Sequence, residues 1–364
     1  ILAYLLLPRG LEFAAGGASF GVVIGSAFGL ALLALIYWYR GQQLRFPGGG
    51  ADEPGREGVG RIALEITRLS VPITLAALVS PIIQLIDTVI VPRRLQIAGF
   101  TPEAATGLYG QLTGFAAPLM NLPQIFTVAL AASLVPAVSE ALALGQSSRV
   151  RNRVEAAMKL TLLIALPSTL GLILLARPIS QMLYNTPEAG IPLAGLAAGI
   201  TFLLLHQTTT GALQGLGKTH IPVQNLLLGA AVKAVMNFTL TAIPSIHILG
   251  AALGTSAGFL VAAVLNVIAL RRLVGFPFPW RDGILKPMLA SAAMALTVTA
   301  FYRTILELYG SNTLGTLIAI AGGAGIYGAV LILSKAVTEE ELQMIPWFGP
   351  RFNEILRRLG LTGR

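Results

Sequence analysis

The 364 residues are 55% hydrophobic and only 11% charged, with a mean hydropathy of +0.76. Soluble domains carry ~25% charged residues, so a water-soluble fold is excluded and a polytopic all-α membrane protein is implied. The absence of cysteine excludes disulfides and thiolate metal sites, and the net charge of +9 reads as orientation across an anionic membrane rather than nucleic-acid binding.

The chain opens ILAYLLLPRG, without an initiator Met or a charged stretch before the apolar run, and so reads as an N-terminally truncated protein rather than one starting with a signal peptide. A partial span at 1–7 and a full span at 16–39 are predicted to end a first helical lobe, residues 1–44. The polar, Gly-rich stretch RFPGGGADEPGREGVGR, residues 45–61, follows as a flexible linker. Further spans are predicted at 71–91, 108–142, 158–176, 193–214, 223–243, 248–270, 287–308 and 314–335. The total is about nine full membrane helices and one partial helix, with a second six-helix lobe over 62–270 and an extra C-terminal pair over 287–335.

The span 108–142 would reach ~52 Å as one straight helix, and it contains Pro118, Pro123 and Pro136, so a kinked or partly unwound helix is expected there. If loop 40–61 is cytoplasmic, the segments on that side hold 19 Lys and Arg residues. The opposite side holds five: Arg9, Arg93, Arg94, Arg177 and Arg303. This asymmetry places the linker and the C-terminus in the cytoplasm, in a multi-pass protein of the cell membrane. Residues 17–25, GASFGVVIG, align with 250–258, GAALGTSAG, which suits a six-helix unit used twice; close packing through small residues explains the same glycines without a repeat.

GALQGLGKT at 211–219 has five residues between Gly211 and Gly217 where a phosphate-binding loop needs four, and no strand precedes it, so it is a tight turn between spans. No metal motif and no catalytic carboxylate pair is present, the three histidines are scattered, and the chain does not read as an enzyme. The tail 336–364 has a capping box, Thr338 with Glu341. Beyond it, Phe352, Ile355, Leu356 and Leu359 form an apolar stripe opposite Arg351, Arg357 and Arg358, as in an interfacial amphipathic helix.

Candidate functional residues lie where charge enters apolar spans. On a helix through 71–91, Ser80, Gln84, Asp87 and Arg94 share a sector about 80° wide, and Asp87 lies ~24 Å from the cytoplasmic edge. Such a stripe should face a bundle interior or an aqueous cavity. Arg93 and Arg94 otherwise snorkel to outer headgroups. Gln111, Asn121 and Gln124 are further cavity candidates. Lys233, with Asn237 one turn on, stands ~15 Å into its own span, within side-chain reach of the Asp87 level, and a pairing of Asp87 with Lys233 follows.

The stretches IDTVIVPRRL (86–95), LYGQLTGFAAPLMNLP (108–123), LQGLGKTHIPV (213–223), KAVMN (233–237) and EEELQMIPWFGPR (339–351) resemble the stage V sporulation protein B branch of the MOP exporter superfamily, which includes lipid II and polysaccharide-precursor flippases. The resemblance runs over essentially the whole chain. It implies a two-lobe bundle of six helices per lobe plus two, of which the first four helices and most of a fifth precede this sequence. It further implies a flippase of lipid-linked peptidoglycan or polysaccharide precursors working by alternating access. The cargo is then an anionic lipid-linked glycan, the partners are membrane lipids and cell-wall synthesis enzymes, and no cofactor is implied beyond a coupling cation, Na+ or H+. Where some flippases have an Asp-Arg pair, this chain has Gln111 and Leu112. The rival readings are a cation-coupled drug antiporter of the same superfamily, which would favour cavity carboxylates, and a non-transporting scaffold for wall or spore-coat synthesis, which needs no buried polar stripe.

Overall fold

The computed structural model describes residues 2–6, 8, 10–40, 67, 81–276 and 280–334. The linker 45–61, residue Ser80 with the rest of 71–80, and the amphipathic tail 336–364 lie outside the described residues. Every regular element among the described residues is helical. The chain divides into two compact units, Ile1–Ser70 and Val71–Arg364. The first holds α1 (Leu2–Leu6) and α2 (Leu11–Arg40), the latter long and apolar enough to cross a membrane.

The second unit begins with α3, residues 81–97. Then come α4 (Pro102–Gly110), a π-helical segment (Gln111–Ala116), α5 (Ala117–Asn121), α6 (Gln124–Ala143), α7 (Ser147–Leu174), α8 (Ala176–Tyr184), α9 (Gly190–Ala197), α10 (Ile200–Gly215), α11 (His220–Leu240), α12 (Ile248–Val274), α13 (Lys286–Tyr309) and α14 (Asn312–Leu333). Seven described helices are long and apolar enough to span, and eight if α9 and α10 count as one bent span. The ninth predicted span, 71–91, is described only from residue 81.

The kink expected over 108–142 takes a definite form. Pro118 has no N–H for the Gly114 carbonyl, and the ladder loosens just before it, with the Ala117 N–H reaching back five residues to Leu112. A second break follows at Leu122 and Pro123, where Leu122 and Ile125 donate to carbonyls three residues back, at 3.3 Å. The span predicted at 193–214 is bent by 45° between α9 and α10. There the Gly199 N–H turns to Leu196, and the Ser256 hydroxyl donates to the Gly195 carbonyl at 2.7 Å in its place. A Cβ at Gly199 would meet the Ser256 backbone, so this bend and α12 fit only with glycine.

Two apolar clusters fill the unit. One joins Val91 and Leu95 of α3 to Leu119, Leu193, Ile200, Leu204 and Ile248. The other joins Val138 of α6, Val154 and Met158 of α7, Leu213 of α10 and Leu270 of α12. The C-terminal pair is fastened to α7 by Leu160 and Leu163 packing on Ala290 and Leu331, and by the Tyr327 hydroxyl, which donates to the Leu163 carbonyl at 2.6 Å. The GALQGLGKT stretch is a helix end and a turn: Gly217 has φ +71°, the Lys218 N–H bonds the Leu213 carbonyl, and α11 starts two residues later.

Candidate functional site

Lys233 and Asn237 are four residues apart and so share one face of α11. That face meets α3. The Lys233 Nζ lies 2.5 Å from Asp87 Oδ2, and the Asn237 amide donates to Asp87 Oδ1 at 2.8 Å. Both carboxylate oxygens are therefore engaged, and the two charged side chains are only 17% and 13% exposed. The ~9 Å difference between the sequence-based depths is closed by the reach of the lysine stem and by the relative placement of the helices.

The glycine series of α12 makes room for this cluster. Gly254 backs onto Asn237, where an added Cβ would collide with the amide oxygen. Gly258 lies where a Cβ would stand 3.1 Å from Lys233 Cβ and closer still to the Gly229 backbone. The spacing seen at 250, 254 and 258 thus works as a close-packing seam against α11. Asn237 Oδ1 is buried without a hydrogen-bond partner, held there because its nitrogen must face the acceptor-only carboxylate.

Beside the pair, Thr88 and the Tyr109 hydroxyl are 3.1 Å apart. Two turns beyond Asp87, Arg94 lays its guanidinium over the Phe238 ring of α11, 3.9 Å from the centroid, with Nε buried and unpartnered. The sector holding Asp87 and Arg94 therefore docks on α11 along its length. Arg93 and Gln84 are exposed. Gln111 lies in the π-helical segment, with its buried Oε1 unpartnered. Asn121 is exposed at the end of α5, and the Gln124 amide donates to Gln207 Oε1 at 3.3 Å. Asp87, Lys233 and Asn237 form one cluster, whereas Arg93, Gln84 and Asn121 have no hydrogen bond or ion pair to it among the described residues. Among those residues, too, no group of three His, Cys, Asp or Glu side chains is placed to hold a metal ion.

A second polar centre was not singled out in the sequence, though its signal was the run His206-Gln-Thr-Thr-Thr in mid-span. These side chains reach three other helices. Gln207 meets Gln124 of α6, and Thr208 meets Thr161 of α7 at 2.6 Å. His206, Thr209 and Thr210 all receive the Asn266 amide of α12, at 3.2, 3.2 and 3.3 Å. Asn266 Oδ1 in turn accepts from Asn225 of α11 at 2.8 Å.

The chain matches a known family along most of its length. The family model described as lipid II flippase MurJ aligns with residues 1–320. The chain belongs to that family. Among curated relatives it is 27% identical over 350 residues to stage V sporulation protein B of Bacillus subtilis (strain 168), covering 95% of this chain and 66% of that protein. It is 24% identical over 334 residues to lipid II flippase MurJ of the same organism, covering 89% of this chain and 60% of the relative. A solved lipid II flippase MurJ in an inward closed conformation superimposes with a TM-score of 0.56 at 20% identity, over 74% of this chain and 54% of that one. That likeness shows the fold. The chain thus spans about two thirds or less of the length of these MurJ-family relatives.

Proposed function

We propose that this MurJ-family chain is the greater part of a flippase that carries a lipid-linked cell-wall or polysaccharide precursor from the cytoplasmic to the outer leaflet by alternating access. The observation that carries the reading is the state of Asp87. It is the carboxylate set deep in the second unit, and Lys233 and Asn237 occupy both its oxygens. A drug antiporter that recognises organic cations needs an available carboxylate, and this one is spent. The charge left over on α3 is positive, on Arg93 and Arg94. That excess suits a pyrophosphate-linked cargo, to which a guanidinium offers a planar, two-pronged donor set. A coupling cation, Na+ or H+, would act by competing with the Lys233 ammonium for Asp87, so coupling is the opening of this ion pair.

The test is transport by the complete protein. Arg93→Ala with Arg94→Ala should lower flipping of a pyrophosphate-linked lipid by at least tenfold, the value of about one charge-assisted hydrogen bond, while the protein still inserts. Normal growth of a flippase-depleted strain supported by that double variant would refute the reading.

A further inference from the structure

We propose that His247 is a pH-sensitive latch, closed while its imidazole is neutral, that fastens the turn between α11 and α12 to the turn between α3 and α4. Among the described residues, two that are not glycine have positive φ, Asn185 and His247. Asn185 caps the C-terminus of α8, an ordinary place for asparagine. His247 has φ 38° and ψ −121°, the region of the first central position of a type II′ turn, and the Leu249 N–H closes that turn on the Ile246 carbonyl at 3.0 Å. Glycine suits this position, and any side chain there is held against strain. What histidine adds lies in its ring.

The ring makes two contacts. Its Nδ1 accepts the Ile248 N–H at 2.8 Å and so caps α12, and a ring nitrogen that accepts from a backbone donor carries no proton. The same ring meets Phe100 in a T-shaped contact, with centroids 5.6 Å apart and planes at 68°. Phe100 is itself well anchored: its N–H reaches the Leu95 carbonyl as Gly99 turns the chain at φ +100°, and its side chain packs on the cluster that contains Ile248. One imidazole thus joins the helix that carries Asp87 to the hairpin that carries Lys233 and Asn237.

Protonation undoes the cap. An imidazolium has no acceptor, so its Nδ1–H would face the Ile248 N–H, and its charge would stand at the positive end of the 27-residue helix α12. Phe100 attracts a cation in return, which is one effect against two. Among the described residues His247 has no ion pair. Of the charged residues on the surrounding elements, Asp87 and Lys233 hold one another and Arg94 lies on Phe238, which leaves Arg93 and Glu103, opposite in sign, near this end. α9 has no titratable side chain, and His220 of α11 and Arg271 and Arg272 of α12 lie at the opposite ends of their helices. Histidine is the side chain whose charge changes in the physiological range, so the latch is closed in neutral and alkaline medium and released by acid. It rests on these two turns and not on the identity of the cargo.

Hydrogen–deuterium exchange of the purified full chain reads the latch directly, once each rate is divided by the intrinsic rate at that pH. Protection of the amides over 241–249 should fall about tenfold between pH 8 and pH 5, roughly the effect of one lost hydrogen bond, while the amides of α7 keep theirs. His247→Asn retains an acceptor, tolerates positive φ and does not titrate, so its protection should be the same at both pH values. Equal protection of the parent at pH 8 and pH 5 would overturn the proposal. So would a fall shared by α7, which would be general loosening, or a fall of the same size in His247→Asn, which would assign the titration to another group. The parent comparison needs no variant and decides alone if the substitution prevents folding.

Discussion

A carboxylate held by an ammonium and an amide in a nearly dry seam is a stable unit only while it is whole. Burying the two ions costs several kcal/mol each, and their attraction offsets this because both Asp87 oxygens have partners. Removing one partner leaves the other ion uncompensated. Lys233→Ala or Asp87→Ala should therefore destabilise the detergent-solubilised protein by about 3–5 kcal/mol. Exchanging the charges, Asp87→Lys with Lys233→Asp, should recover much of that loss. Unfolding midpoints of the three variants check this, and an exchange no better than the single changes would show that the helices do not hold the two ions face to face. Arg94 differs in kind. Its partner is the Phe238 ring, worth ~0.5–2 kcal/mol, so Arg94→Ala should leave folding little altered and act on transport instead.

At the scale of the helix, polar side chains substitute for the hydrophobic effect, which does little to join helices already surrounded by lipid. α10 shows how. Its central polar run reaches α6, α7 and α12 directly and α11 through Asn266, so one residue ties three helices together. Asn266→Leu keeps the volume and removes the amide. Buried His206 and part-buried Asn225 then lose their partner, at about 1–3 kcal/mol for each group left unsatisfied, while the Thr209 hydroxyl keeps the Leu205 and His206 carbonyls. The midpoint of thermal unfolding should fall more than for Gln124→Leu, whose bond to Gln207 is longer and part-buried. Glycine acts by the same logic of close approach. Gly254→Ala forces Asn237 away from Asp87 and should destabilise by about 1–3 kcal/mol. Gly21, its counterpart in the aligned segment of α2, has nothing within 4 Å of a built Cβ, so Gly21→Ala should be close to neutral within this chain.

For the whole molecule, orientation is the property most open to a direct test. From the split of 19 basic residues against 5 we predict that residue 49 is cytoplasmic and the turn at residue 99 external. The chain has no cysteine, so single cysteines at Gly49 and Gly99 can be labelled without further engineering. An impermeant maleimide added to intact cells should label the second and spare the first until the membrane is opened. Labelling of both from outside would refute the topology, since the two positions would then share one side of the membrane.

What the sequence determined by itself was whatever depends on composition and local chemistry. Long apolar runs announced membrane helices, because lipid leaves the backbone no other way to satisfy its polar groups. Proline announced the breaks on either side of Pro118, because a missing N–H must interrupt the ladder wherever it falls. Asp87 and Lys233 stood out because any charge in such a run is costly and needs an answer nearby. The tertiary structure decided what those answers were. It spent Asp87 on α11 instead of leaving it toward an open space, and it placed Arg94 on Phe238. It turned His206-Gln-Thr-Thr-Thr into a junction, since a threonine or glutamine in a span is tolerated alone and reveals its partner only when the facing helix is known. It also bent one predicted span at Gly199, where the lost intrahelical bond is replaced by Ser256, 57 residues away. Such pairings depend on which helix lies beside which, and helical periodicity within one segment carries no information about its neighbour.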